Sequence, residues 1–143
     1  MTFEIPCLLI SLFRDSGWYP GRTTDFFAKS GYNASAFEFL SEFGGLVVGV
    51  CGPGRDNATG DIEFYAEPDE EASEAADPWR DVTGGLTAIA DAHHAHMIIL
   101  MSESGLFYIY TVPDARLYGS YVFGDMAARV LLGWGLGKTI ERV

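Results

Sequence analysis

The segment DAHHAH sets His93, His94 and His96 close behind Asp91, and imidazole and carboxylate are donors that hold zinc and related cations. A shared ion requires those side chains to converge. On an extended strand His94 and His96 share one face while His93 points to the other, and in a turn all three simply face water. No metal is therefore assigned to these histidines, and no cofactor is expected. A small metal-dependent hydrolase that uses the three of them stays as a second reading, separable by metal analysis.

Other reactive patterns fail on spacing. LGWGLGKT looks like a phosphate loop, but that motif requires glycine five positions before Gly137, where Leu132 stands, and no strand precedes it. GVCGPGRDNATG lacks the glycine spacing and following helix of a dinucleotide fingerprint, so Gly52, Pro53 and Gly54 read as turn residues. Ser11, Ser102 and Ser104 have no nucleophile-elbow context, and neither Cys7 nor Cys51 lies near a histidine in sequence. The two cysteines, in unlike settings with no second pair, read as small core hydrophobes in a reduced compartment. No catalytic constellation emerges, and a non-enzymatic role is expected.

What the chain does carry is charge. Its 143 residues include 20 acidic and 9 basic side chains, a formal charge of −11. Between Asp61 and Asp81 nine carboxylates stand beside a single arginine, Arg80, so this one stretch holds −8 of the total. Phosphate recruits lysine and arginine, and such a surface repels it, so no direct nucleic-acid partner is expected. An acidic run is ordinarily a solvated loop or short exposed helix that keeps a protein in solution. The other reading is a docking surface, because Trp79 and Arg80 end the run and aromatic and arginine side chains are common anchors, although Trp79 would serve equally as a lid on the core. Its candidate contacts are Glu67, Asp69, Glu70, Glu71, Glu74, Asp77 and Trp79. A partner drawn by charge is basic.

The elements that must position these residues come in segregated runs. Pro6 suits a first helical turn, and Leu8, Leu9, Leu12 and Phe13 make one apolar stripe ahead of Gly17, predicting a helix from about Pro6 to Ser16. A short amphipathic piece follows near Thr24 to Ser30, closed by Gly31. Ser35 and Glu38 form a capping box for a helix with Ala36, Phe39, Leu40 and Phe43 on one face, ended by Gly44 and Gly45. From Leu46 the period becomes that of strands. LVVGVC and DIEFYA read as a hairpin with a long loop, followed by LTAIADA, MIILM and LFYIYTV, the last two joined through SESG. Asp125 is placed to cap a final helix whose Met126, Ala127, Val130 and Leu131 face inward.

Helices, then strands, then a helix predict an α+β fold with a mainly antiparallel sheet of about five or six strands. With 48% hydrophobic residues the chain can bury one core, and residues 1–143 read as a single domain. No apolar run approaches the roughly 18 residues of a membrane span. CLLISLF, with Glu4 and Pro6 around its start and no Lys or Arg before Arg14, does not read as a cleaved leader. A cytoplasmic location and no membrane partner are expected.

SGWYPGR, from Ser16 to Arg22, resembles the signature of one branch of the SUKH superfamily, in which a first helix ends in glycine-tryptophan followed by proline-glycine-arginine. FLSEFGGL, from Phe39 to Leu46, is similar to that family's second landmark, a helix leading through a glycine pair into the first strand. IEFYAEPDEEA with Trp79, the hairpin MIILMSESGLFYIY and the last helix ending in VLLG follow in similar order, so the likeness covers about Leu8 to Gly133. YGSYVFGDMAARVLLG is bulkier and more aromatic than that pattern, and the tail WGLGKTIERV extends beyond it.

The resemblance implies an α+β fold and, as in most bacterial members, an immunity protein that binds and neutralises a polymorphic toxin, often a nuclease or nucleic-acid deaminase. Other members are regulators or adaptors, so an adaptor that binds a peptide or small ligand on the sheet is a third reading. Gly17, Trp18, Pro20, Gly21, Arg22, Phe43, Gly44 and Gly45 read as scaffold rather than contact. Trp18 would pack beneath the first helix, Pro20 and Gly21 shape the turn, and Arg22 pair with a carboxylate or cap a helix carboxyl end. The leading expectation is stoichiometric occlusion of a cognate toxin domain with a basic surface, the acidic run acting as a decoy for phosphate.

Overall fold

The computed structural model describes residues 3–26 and 32–142. Six strands form one sheet in chain order, each antiparallel to its neighbours: β1 (Val47–Val48), β2 (Ile62–Phe64), β3 (Leu86–Ala92), β4 (Met97–Ser102), β5 (Phe107–Thr111) and β6 (Arg116–Tyr121). Antiparallel neighbours need only short reversals, which is what the connections after β3, β4 and β5 are. Strand β1 is shorter than LVVGVC suggests because Gly49 adopts φ +83 and takes the chain off the ladder. The helices are α1 (Ile10–Asp15), α2 (Ala34–Phe43), α3 (Glu70–Ser73), α4 (Arg80–Thr83) and α5 (Phe123–Leu131), with a 3-10 turn over Glu74–Trp79 between α3 and α4. The fold is thus α+β with a C-terminal helix, as the sequence predicts.

The helix ends differ from that reading. Helix α1 starts later, because the Pro6 and Cys7 carbonyls accept from Leu9 and Ile10 in tighter turns, and Leu8 is left 63% exposed while Leu9 and Phe13 are buried. Helix α2 is capped by Asn33, whose backbone is extended and whose side chain accepts from the Ala36 N–H at 2.7 Å. Ser35 lies inside the helix instead, buried, and donates to the Glu103 carbonyl at 2.7 Å. Asp125 is likewise in the first turn of α5 rather than its cap, and pairs with Arg129 at 3.1 Å. The piece expected near 24–30 falls mostly outside the described residues, and 24–26 is not helical. Cys7 and Cys51, expected in the core, are both exposed, one in the turn before α1 and the other beyond the end of β1.

Apolar cover lies on both faces of the sheet. On one, α1, α2 and α5 bring Phe13, Phe39, Phe43 and Phe123 against Phe64 and Phe107, with ring centroids 4.6 to 6.2 Å apart. On the other, Ala76 and Trp79 cover Leu86, Ala88, Leu100, Tyr108 and Leu117. Strand β3 serves both: Leu86 and Ala88 belong to the second cluster, Ala90 and Ala92 to the first, because a bulge between Ala88 and Ala90 shifts the pleat. Nearly every β3 residue is therefore buried, the pattern of a strand covered on both sides. Among the described residues, no helix is long and apolar enough to cross a membrane.

Phe39 touches five other rings of the larger core, Phe3, Phe43, Phe64, Phe107 and Phe123. Phe39→Ala is expected to cost about 3–5 kcal/mol in urea unfolding, whereas Phe37→Ala on the exposed side of the same helix costs about 1 kcal/mol or less. Equal losses would show that the ring cluster is not the centre of the core.

Candidate functional site

The acidic run folds because the second sheet face has to be covered. The Asp69 carboxylate accepts from the Ala72 N–H at 2.9 Å and caps α3. Ser73 Oγ donates to the Asp69 carbonyl at 3.1 Å and accepts from the β3 amide of Ala88 at 2.9 Å. Tyr32 closes the same junction, donating to the Ala88 carbonyl at 2.8 Å and accepting from the Asp69 N–H at 2.7 Å. Ala72, Ala76 and Trp79 turn inward, and Glu67, Glu70, Glu71 and Glu74 are exposed.

Those four glutamates have no ion-pair partner among the described residues. Asp77 accepts from Arg80 Nη2 at 3.2 Å, a pair open to water and worth little to stability. A groove of about 300 Å³ opens beside them, lined by Tyr32 and Leu86 together with Glu70, Glu74, Asp77 and Arg80. Trp79 is only 3% exposed, its Nε1–H donates to the Ile140 carbonyl at 2.7 Å, and the Arg142 guanidinium lies 4.6 Å over its ring. The indole therefore supports the acidic surface from beneath instead of lining it. The C-terminal tail that meets it runs along β6, where the Ile140 N–H donates to the Leu117 carbonyl at 2.7 Å.

SGWYPGR packs at the far end of α2. Trp18 Nε1 donates to Glu42 Oε2 at 2.9 Å, and the Arg22 guanidinium donates to the carbonyl of Glu42 and, at 3.0 Å, to that of Gly44. These carbonyls belong to the helix end that has no partner of its own. A Cβ on Gly44 would stand 2.6 Å from the Leu40 carbonyl oxygen, and Gly45 turns with φ +85 into β1. Phe43 is buried, Gly17 turns with φ +107, and Pro20 and Gly21 lie exposed in the bend.

The histidines occupy the β3–β4 turn, where His93, His94 and Ala95 take φ of +53, +52 and +64. The rings of His93 and His96 are 6.2 Å apart. Among the described residues, the donors that the fold gathers closely enough to share a metal are Cys51, Asp61 and His94. Sequence spacing hides this group, because the β2–β3 register that sets Ile62 opposite Ala92 brings Asp61 to the turn, and the pairing of β1 with β2 brings Cys51 to Asp61.

A six-stranded antiparallel sheet covered on both faces, with an outward surface of carboxylates on short helices, defines a small α+β protein. The family model for the SUKH-3 immunity protein matches residues 9–132. The chain belongs to the SUKH-3 immunity protein family, and that membership supports a toxin-immunity role, implies a cognate toxin as partner and suggests a non-enzymatic mode of action. No curated protein and no solved structure is significantly similar to it.

Two phenols, the half-buried Tyr65 and the buried Tyr121, make the surrounding structure sensitive to alkali. Burial, then the Asp91 carboxylate to which it donates at 2.7 Å, pushes the Tyr65 hydroxyl far above its ordinary range. Burial also pushes Tyr121 up to about 12, with the Arg129 guanidinium opposing. An unfolded phenol ionises near 10, so the folded state holds these protons more tightly. The stability they contribute is complete below about pH 10 and is lost as the pH rises through the folded values. Urea midpoints are expected to fall as the pH rises from about 10 towards about 12, with Tyr65→Phe and Tyr121→Phe each flattening the decline. A decline of equal steepness in both variants would place its origin elsewhere.

Proposed function

We propose that this protein is a cytoplasmic, non-catalytic inhibitor that occludes a cognate toxin domain one to one, its exposed carboxylates meeting a basic surface on the toxin. The observation that carries the reading is −8 of charge on a single stretch pinned to β3 with its glutamates outward. An enzyme that receives nucleic-acid phosphates presents positive potential where they bind, and fixed carboxylates occupy that field without having to be ordered at the moment of contact. A nuclease or a nucleic-acid deaminase fits this requirement. Glu67, Glu70, Glu71 and Glu74 make the contacts. Asp69 is turned to its own helix and Asp77 is shared with Arg80, so these two add field more than contact, and Trp79 preserves the shape of the stretch. The groove bounded by Glu70, Glu74 and Asp77 is sized for a lysine or arginine side chain of the toxin.

Coexpression tests the role directly. If the toxin encoded beside this gene kills cells equally with and without the protein, the reading fails. For the surface, combined Glu70→Lys, Glu71→Lys and Glu74→Lys is expected to slow association at low salt by roughly tenfold or more and to make it less sensitive to salt. The urea midpoint stays that of the wild type, because none of the three side chains is buried. An unchanged low-salt association rate would reject this surface.

A further inference from the structure

We propose that Cys51, Asp61 and His94 bind a divalent cation of the zinc class, clamping the loop between β1 and β2 to the β3–β4 turn. The three donors come from separate parts of the chain: Cys51 from the loop after β1, Asp61 from the residue before β2, and His94 from the turn. A thiol sulfur, a carboxylate oxygen and an imidazole nitrogen nevertheless lie within 4.8 Å of one another. Ligands about 2.0–2.3 Å from a tetrahedral ion stand roughly 3.3–3.6 Å apart. Cys51 Sγ is 3.9 Å from Asp61 Oδ1, and His94 Nδ1 is 4.0 Å from Asp61 Oδ2. Rotation of two exposed side chains, Cys51 and His94, closes the difference.

The backbone already aims these groups. The Asp61 carbonyl accepts from the His93 N–H at 2.8 Å, and its Oδ1 accepts from the His94 N–H at 3.0 Å, leaving Oδ2 turned to the His94 ring. Such outer contacts fix a ligand's orientation before the ion arrives. His93 Nδ1 stands 3.6 Å from Cys51 Sγ, beside the three donors but outside the group that converges, so the fourth position is left to water. Room for that ring depends on Gly60, where a Cβ would lie 3.1 Å from His93 Nδ1. The set combines one thiolate, imidazole and one carboxylate, which favours a borderline-soft, four-coordinate ion over magnesium or calcium. On binding, the sulfur–metal bond forms as the thiol proton leaves to solvent, and no change of oxidation state is involved. His96 lies outside the group and serves as the internal control. The inference does not depend on the proposed docking contacts, Glu67, Glu70, Glu71 and Glu74, although Asp61 is counted in the charge of the same stretch.

Cobalt(II) titration of the tag-free, full-length protein is the test. A thiolate-to-cobalt charge-transfer band in the near ultraviolet should saturate at a single equivalent and disappear when zinc is added. Cys51→Ser should abolish the band, and Asp61→Asn and His94→Ala should each weaken cobalt binding by at least ~10-fold, while His96→Ala leaves it unchanged. Circular dichroism of each variant should match the wild type, and zinc should raise the Tm of the wild type but not of Cys51→Ser. Absence of the charge-transfer band, or a loss in His96→Ala as large as in His94→Ala, would overturn the site.

Discussion

A six-stranded meander with apolar side chains on both of its pleated faces cannot leave either face in water, and the remaining architecture follows from covering both. One face is met by a conventional solution, helices whose phenylalanines interlock with those of the sheet. The other is met by the most acidic part of the chain and by the C-terminal tail. The bulge in β3 lets this happen, since it hands the strand's inward residues from one cluster to the other along its length. Tyr32 and Ser73 then supply partners for the Ala88 backbone, so the second cover is fixed by polar contacts as well as by area.

Magnitudes show why so much charge is tolerated there. An aromatic side chain the size of Trp79 buries about 150–250 Å², worth on the order of 4–6 kcal/mol before the entropy of ordering is counted. Two carboxylates roughly 8 Å apart in water repel by about 0.5 kcal/mol, and salt reduces this further. Burial of the inward residues thus outweighs repulsion among the outward ones, provided the segment is amphipathic at helical spacing. Ala72, Ala76 and Trp79 provide that spacing, and the glutamates between them are left on the wet side.

Local periodicity made much of this readable from the residues alone. The inward face of α5, the apolar face of α2, the hairpins of β3 to β5 and the α+β order each depend on neighbours within a few positions, and the structure has them. What escaped depends on contacts between distant segments. Asn33 outcompetes Ser35 as a cap because Ser35 has the Glu103 carbonyl as a partner, a contact invisible in sequence. The cysteines are exposed because Cys7 lies in the turn before α1 and Cys51 in the loop after Gly49 takes the chain off β1. The Cys51, Asp61 and His94 group depends on strand register. The inward spacing in the acidic run was present to be seen, but Pro78 and the density of charge make it read as a solvated loop or short exposed helix, with Trp79 alone open to a role as a lid on the core.

If the acidic face is where a toxin lands, charge and shape have separate tasks on it. The field of many carboxylates reaches about a Debye length, ~8 Å at physiological salt, and accelerates encounter with any basic surface. It cannot by itself tell one basic toxin from another. Discrimination requires contacts that fail when the partner changes, and these act over ångströms, mostly on dissociation. The groove beside Tyr32 and Leu86 is the feature of this face with that character, since its apolar wall, its carboxylates and the Arg80 guanidinium paired with Asp77 set a fixed pattern that a partner side chain has to match. Specificity therefore belongs to the geometry that Trp79, Ser73 and Tyr32 impose on the run, while net charge governs how quickly the partners meet.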